Sequence, residues 1–478
     1  MSLSWHESYK RKLISGEAAA AMVKDHMWID YGAMNAPKLF DRALAARMKE
    51  VKGVKLRTLG CLHFPAIMEA DKQGESFWLG NWHIVGLTRK YIKEGRASYI
   101  PMNFGECGRY YQEDLDPVDI AVLVTTPMNK HGYFNFGVGV SESMAVLKSA
   151  KIKIVETYES MPWVYGGFDE SIHISEIDYV IENKVDKIFE GPAPPPETED
   201  VKIAELIAER IPLNGPCLQV GIGGIPDQLI RVLGRLGVKD IGIHTEMVTE
   251  AIAELAEAGV LTCRKKSFLP GKIPFTFAIG SRKLYDWMDH NPMLYGCPVS
   301  FTNDPNVISL NENFISLNAA LGMDLQGQVN AESISTGIFT GTGGQPAIAR
   351  AAYYRSSKGI APIGYPGNKA FIAFHSTYKD KDGKLQSRIM PTLRLGEIVT
   401  TTRTDVSYLV TEYGVAYLKG LSIPERALAL IKIAHPDFRD WLKEEGQKLG
   451  WLPRLWAMGH FVGTKKSKAQ MNNIDKSR

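Results

Sequence analysis

An α/β fold with two similar open domains, each a mostly parallel sheet covered by helices, is predicted by three features of this sequence. Short apolar runs alternate with helical patterns in both halves of the 478-residue chain, the arrangement that lays parallel strands between helices. A proline-rich stretch, GPAPPPETE at residues 191–199, separates the halves. Four prolines in nine residues suit neither a helix interior nor a central strand, so this stretch is a linker. Around residues 219–250, an apolar run (Leu218 to Val220), a glycine turn (GIGGIP), a helical pattern and a second apolar run ending on His244-Thr245-Glu246 succeed one another. That order is strand, tight turn, helix, strand.

The first half opens with a helix-like stretch over residues 9–27, followed by apolar runs near Ile29 and Leu56 and a helical pattern over 37–48. Residues 119–126 (DIAVLVTT) are a buried strand, and 151–155 (KIKIV) are another, ending at Glu156. Past the linker, residues 200–210 resume as a helix, and the alternation continues through Val260, Phe275, Val307 and Ile315. The boundaries that follow are 1–190 for the N-terminal domain, 191–199 for the linker and 200–440 for the C-terminal domain. Residues 441–478 form a C-terminal extension with a lysine-rich tail. The active site is expected in the crevice between the domains.

Composition excludes several function classes. With 56 Lys and Arg against 53 Asp and Glu, the net charge of +3 gives no reason to expect a nucleic-acid partner. No apolar run approaches the roughly 18 residues of a membrane span, and residues 1–15 lack a signal-peptide core, so a cytoplasmic protein is expected. Cys61, Cys107, Cys217, Cys263 and Cys297 lie far apart without a CxxC pair, as buried reduced thiols would. The eleven histidines show no HxH or HExxH spacing, so no metal is expected.

In open α/β sheets ligands bind outside the carboxyl ends of the strands, where both the first glycine turn and Glu246 fall. Glu246 is the candidate reacting group. A second cluster, Gly341-Thr342-Gly343-Gly344-Gln345, precedes a helical stretch over residues 346–354 and can offer backbone N–H groups to a phosphate or an oxyanion. GIGGIP with an acid about twenty residues on also mimics a dinucleotide fingerprint. Its last position is Pro226 where close packing needs a small residue, and the turn lies one helix into its domain, so a nicotinamide-dependent oxidoreductase is a remote alternative. Neither cluster reads GxxxxGK[ST], so no ATP-type phosphate loop is present.

LQVGIGGIPDQL, IGIHTEM, NAESI with GTGGQ, SKG, and DVSYLVTEYGVAYLKGLSIPERALALIKIAHPDF together resemble the acetyl-CoA hydrolase/transferase family, nearest its 4-hydroxybutyrate and butyrate-type CoA-transferases. NKHGY at residues 129–133 and residues 173–179 carry the likeness into the first half. The resemblance implies two similar α/β halves and acyl-CoA and carboxylic acid substrates, with coenzyme A as substrate and covalent intermediate and no permanently bound cofactor. It also implies a homodimer or higher homo-oligomer.

Residue by residue, it implies that Glu246 is the covalent carrier, that the Gly344 amide helps stabilise the oxyanion, and that Asn303 assists. Gly221, Gly223 and Gly224 would shape the thioester pocket. Gly343 and Gln345 would flank the oxyanion turn, Lys358 would meet coenzyme A phosphates, and Asn330 and Glu412 would stand near the site. Tyr158, Glu250-Ala251, His375 and an insertion at residues 361–368 depart from the family pattern. A CoA-transferase is the leading reading and an acyl-CoA hydrolase on the same scaffold the alternative; the sequence does not separate them, because they differ in how water is kept from one glutamate.

Overall fold

A computed structural model of the chain describes residues 4–191, 195–221, 223–353 and 367–457. Two sheets organise it. The first has seven strands in the order Ala97–Tyr99, Phe77–Asn81, Val54–Thr58, Trp28–Asp30, Val118–Thr125, Ala150–Tyr158, Tyr179–Asn183. Every pairing in it is parallel. The second runs Gly242–Ile243, Cys217–Val220, Phe314–Ala319, Lys369–Ala373, Tyr408–Thr411, Gly414–Tyr417, parallel until a closing antiparallel hairpin. In each sheet the strand that comes first in sequence lies inside, and later strands are added on both of its sides. The resulting switch points lie between Trp28–Asp30 and Val118–Thr125 and between Cys217–Val220 and Phe314–Ala319.

Burial on both faces explains the strands that sequence makes plain. Along Val118–Thr125 seven of eight residues are buried, as expected of a parallel strand covered by helices. Ala150–Tyr158 runs three residues past the expected apolar stretch because its polar end is satisfied internally. The Glu156 carboxylate accepts from the backbone N–H groups of Leu39 and Phe40, from Asn183 Nδ2 and from the Tyr158 hydroxyl. Tyr158 thus has a structural task, and its oxygen also accepts from the Lys38 N–H.

Other boundaries shift for local reasons. The helix expected over residues 9–27 is two helices, Trp5–Lys12 and Gly16–Ala20, because Ser15 starts a new helix by accepting from the Ala18 N–H. The helix Thr198–Ala208 begins two residues before the expected start, where Glu197 and Asp200 form a reciprocal capping pair. Residues 192–194 of the linker lie outside the described residues.

The glycine turn feeds the helix Gly224–Arg235, whose first turn accommodates Pro226. Gly223 takes φ 133°, a conformation that favours glycine. A Cβ on Gly224 would stand 2.0 Å from Asp200 Oδ2, so the absent side chain lets the helix Thr198–Ala208 come close. The two halves are packed together rather than strung apart: one apolar cluster runs from Ala33 to Val410. Among the described residues no helix is long and apolar enough to cross a membrane, and all five cysteines are buried and free.

Candidate active site

A cavity of about 560 Å³ opens where the two halves meet, at the switch point of the second sheet. Trp82, His83, Arg89 and Phe104 line it from the first half, and Gln219, Gly221, Glu246 and Asn318 from the second. Glu246 lies three residues beyond the short strand Gly242–Ile243, between it and Met247–Val248, rather than ending a strand. Its backbone is pinned on both sides. The His244 N–H donates to the Leu218 carbonyl and the Thr245 hydroxyl to that of Val220, while the Glu246 carbonyl accepts from the N–H groups of Thr276 and Phe277. The side chain is therefore aimed before any ligand arrives.

Asn303 and Gly344 meet this carboxylate. Asn303 caps the helix Val299–Thr302, and its Nδ2 donates to Glu246 Oε2 at 2.6 Å. Gly344 is the N-cap of the helix Gln345–Ala351, and its N–H faces the same carboxylate. A Cβ at Gly344 would lie 2.2 Å from Glu246 Oε2 and 2.4 Å from Asn303 Nδ2, so close approach demands glycine here although φ is an ordinary −92°. Neighbouring Gly343 needs glycine for another reason, φ +58°. Burial pushes the Glu246 pKa from 4.5 up to about 7, partly offset by the hydrogen bonds from Asn303 and Gly344.

The residue two before Glu246 supports the arrangement from behind. His244 Nε2 lies 2.9 Å from the Thr302 carbonyl and Nδ1 3.3 Å from Asn311 Nδ2. A carbonyl only accepts, so Nε2 carries the proton and Nδ1 accepts. Burial, helped by the nearby Lys266, lowers the His244 pKa to about 3 and keeps the ring neutral. It thereby anchors the segment that presents Asn303.

The loop bearing Gly344 is held by the opposite half. Arg89 Nε donates to the Phe339 carbonyl at 2.7 Å, and the Phe104 N–H donates to that of Gly343 at 3.3 Å. The Thr340 hydroxyl donates to the Ile84 carbonyl and accepts from His83 Nε2. The Tyr99 hydroxyl accepts from the Thr342 N–H at 2.9 Å, and within its own half Gln345 Nε2 donates to Thr401 Oγ1.

Of the residues singled out in the sequence, Glu246, Gly221, Gly343, Gly344 and Gln345 line the cavity, and Asn303 touches Glu246. Gly223 and Gly224 shape the start of the helix behind it. Asn330 is spent on its own turn: Oδ1 accepts from the N–H groups of Glu332 and Ser333, which places Glu332 to accept from the Thr342 hydroxyl. Glu412 is buried with its carboxylate on the N–H and hydroxyl of Ser376. His375 pairs with Asp200 at 2.8 Å. Lys358, and residues 361–366 of the expected insertion, lie outside the described residues. Among those described, no group of three or more His, Cys, Asp or Glu is placed to hold a metal.

The profile of the acetyl-CoA hydrolase/transferase N-terminal domain matches residues 3–188, and that of its C-terminal domain matches residues 280–446. The butyryl-CoA:acetate CoA-transferase of Anaerostipes caccae is 41% identical over 449 residues, 93% of this chain and 98% of that protein. The chain belongs to the acetyl-CoA hydrolase/transferase family. The 4-hydroxybutyrate coenzyme A transferase of Clostridium kluyveri is 38% identical over 93% of this chain and 100% of its own length. RipA from Yersinia pestis superposes with a TM-score of 0.82 at 31% identity, over 94% of this chain and 100% of its own. Within the family the chain is an enzyme of the CoA-transferase class.

The site also contains residues that sequence reasoning passed over. His83, Arg89 and Tyr99 reach an acetyl-CoA hydrolase/transferase loop some 250 positions away. One signal was available: Trp82 and His83 directly follow Phe77–Asn81, at the carboxyl end of a first-sheet strand, where the rule applied to the second sheet also holds.

Proposed function

We propose that the protein moves coenzyme A from an acyl-CoA to a carboxylic acid in two half-reactions carried by Glu246. The observation that carries this reading is a carboxylate held by Asn303 at Oε2 and faced by the Gly344 N–H while the carboxyl group opens on a cavity shared by both halves. A Glu246 oxygen attacks the thioester carbonyl, the C–S bond breaks, and an acyl-glutamyl anhydride forms as coenzyme A leaves as thiolate. The thiolate then attacks the glutamyl carbonyl, releasing the first acid and leaving coenzyme A on Glu246 as a thioester. An incoming carboxylate reverses both steps.

One thioester is exchanged for another, so the exchange is nearly isoenergetic and needs no ATP. During attack on the glutamyl carbonyl, charge grows on its oxygen. The Asn303 donor already on Oε2 and the Gly344 N–H facing the carboxylate meet that charge without reorganising, and one such donor is worth about 2.7–4 kcal/mol. The raised proton affinity of Glu246 makes its ionised form a better nucleophile than an exposed carboxylate. Met34, Leu59, Met102, Met247 and Phe277 give the cavity apolar walls, which suits short aliphatic acids such as those in the names of the two curated relatives. Lys358 is proposed to meet the coenzyme A phosphates.

The test is to supply acyl-CoA with and without a panel of short acids and follow coenzyme A. The expected result is new acyl-CoA in proportion to the acid consumed. Free coenzyme A released as fast without acids as with them would make the enzyme a hydrolase.

A further inference from the structure

Two polar side chains in the cavity wall come from the carboxyl ends of neighbouring strands at the switch point. They are Gln219 on Cys217–Val220 and Asn318 on Phe314–Ala319. The strands are parallel with Gln219 opposite Ser316. Side chains alternate along a strand, so Gln219, Ser316 and Asn318 project from one face of the sheet. Each holds a buried polar atom with no hydrogen-bond partner: Oε1 of Gln219, Oγ of Ser316 and Nδ2 of Asn318.

This clustering is costly unless something fills it. A buried polar atom left unpaired costs about 1–3 kcal/mol, and native interiors hold only a few of them. The cavity's other walls are largely apolar, and a plain alkyl chain in it offers these atoms nothing. The free atoms are also complementary in kind, since Oε1 accepts, Nδ2 donates and the serine hydroxyl does either. A carboxylate would gain the donor but be repelled by the amide oxygen, so a charged partner is disfavoured.

We propose that Gln219 and Asn318, backed by Ser316, form a polar subsite for an uncharged substrate group that both donates and accepts a hydrogen bond, a hydroxyl or a secondary amide. The subsite rests on the coenzyme A transfer proposed above, whose substrates carry this chemistry in two places. One is the amide of the pantetheine arm next to the sulfur, and the other is a hydroxyl on the carboxylic acid.

The test compares kcat/KM within two substrate pairs, using the whole enzyme. The acceptors are butyrate and 4-hydroxybutyrate, which differ by the hydroxyl. The donors are the S-propyl and N-acetylcysteamine thioesters of butyric acid, of which only the second keeps the amide. In at least one pair the wild type should prefer the polar member by about tenfold or more, and the preference should fall to about twofold or less in Gln219→Met and in Asn318→Leu. The pair that responds identifies the source of the group. A ratio taken within one preparation does not change with the fraction folded, and Asn318→Ser replaces Asn318→Leu should that variant fail to fold. Preferences that stay the same in both pairs overturn the subsite and leave ordered water as the partner of these atoms. A wild type that transfers coenzyme A to no acid at all would instead overturn the proposed function.

Discussion

Asn303 Nδ2 donates to Oε2 of Glu246 at 2.6 Å, across 57 positions of sequence. The bond favours the ionised carboxylate against a burial that disfavours it. With the Glu246 pKa near 7, kcat/KM should rise with pH and level off above about 7, because only the ionised group attacks. Asn303→Ala removes a cause that lowers this pKa. The inflection should move to higher pH and the plateau should fall about ten- to hundredfold, the worth of a hydrogen bond to a charged group. A pH–rate profile of both proteins checks the two effects together.

Gly344→Ala should abolish most turnover with little loss of stability. The backbone at φ −92° accepts alanine, but the new methyl would lie 2.2 Å from Glu246 Oε2. The flexible carboxylate gives way more readily than the loop does, so the damage falls on the position of the nucleophile. A hundredfold or greater loss of kcat is expected, with a melting temperature within about 3 °C of wild type. Thermal melts run beside initial rates make the comparison.

Glu246→Gln should stabilise the protein, and only toward neutral and higher pH. A carboxyl group whose folded pKa lies near 7, against an ordinary 4.5, binds its proton more tightly in the folded state. Stability contributed by this group therefore falls as pH rises from about 4.5 to 7 and stays low above, a cost of at most about 3 kcal/mol. The glutamine variant escapes that cost. Its advantage in urea unfolding should be largest at pH 8 and shrink toward zero near pH 4.5.

Much of this site is legible in the sequence because local rules coincide with global ones. The turn at residues 221–226 and the second cluster at 341–345 are glycine-rich for reasons visible in the backbone, such as φ 133° at Gly223 and +58° at Gly343. Gly344 is different, since its φ is ordinary and its lack of a side chain serves a carboxylate 98 positions earlier. The supports from the first half were not legible. The hydrogen bonds that join Arg89 to Phe339 and Tyr99 to Thr342 depend on how the two sheets dock, which no local pattern encodes. Asn330 and Glu412 illustrate the converse, because a polar residue beside a site can spend its hydrogen bonds on its own turn or on a neighbouring loop. At the N-terminus, helical periodicity runs through Leu13 to Ser15 while the capping serine breaks it, so one helix was expected where two form.

The central claim is that Glu246 carries coenzyme A, and intact-mass analysis of the enzyme mixed with acyl-CoA and no acceptor tests it most directly. The predicted result is release of the free acid together with a mass increase of one coenzyme A less water, mapped to Glu246 after borohydride reduction and absent from Glu246→Ala. An enzyme that turns over rapidly with acceptor present, yet never carries coenzyme A and gives intersecting rather than parallel kinetic lines, would contradict the claim.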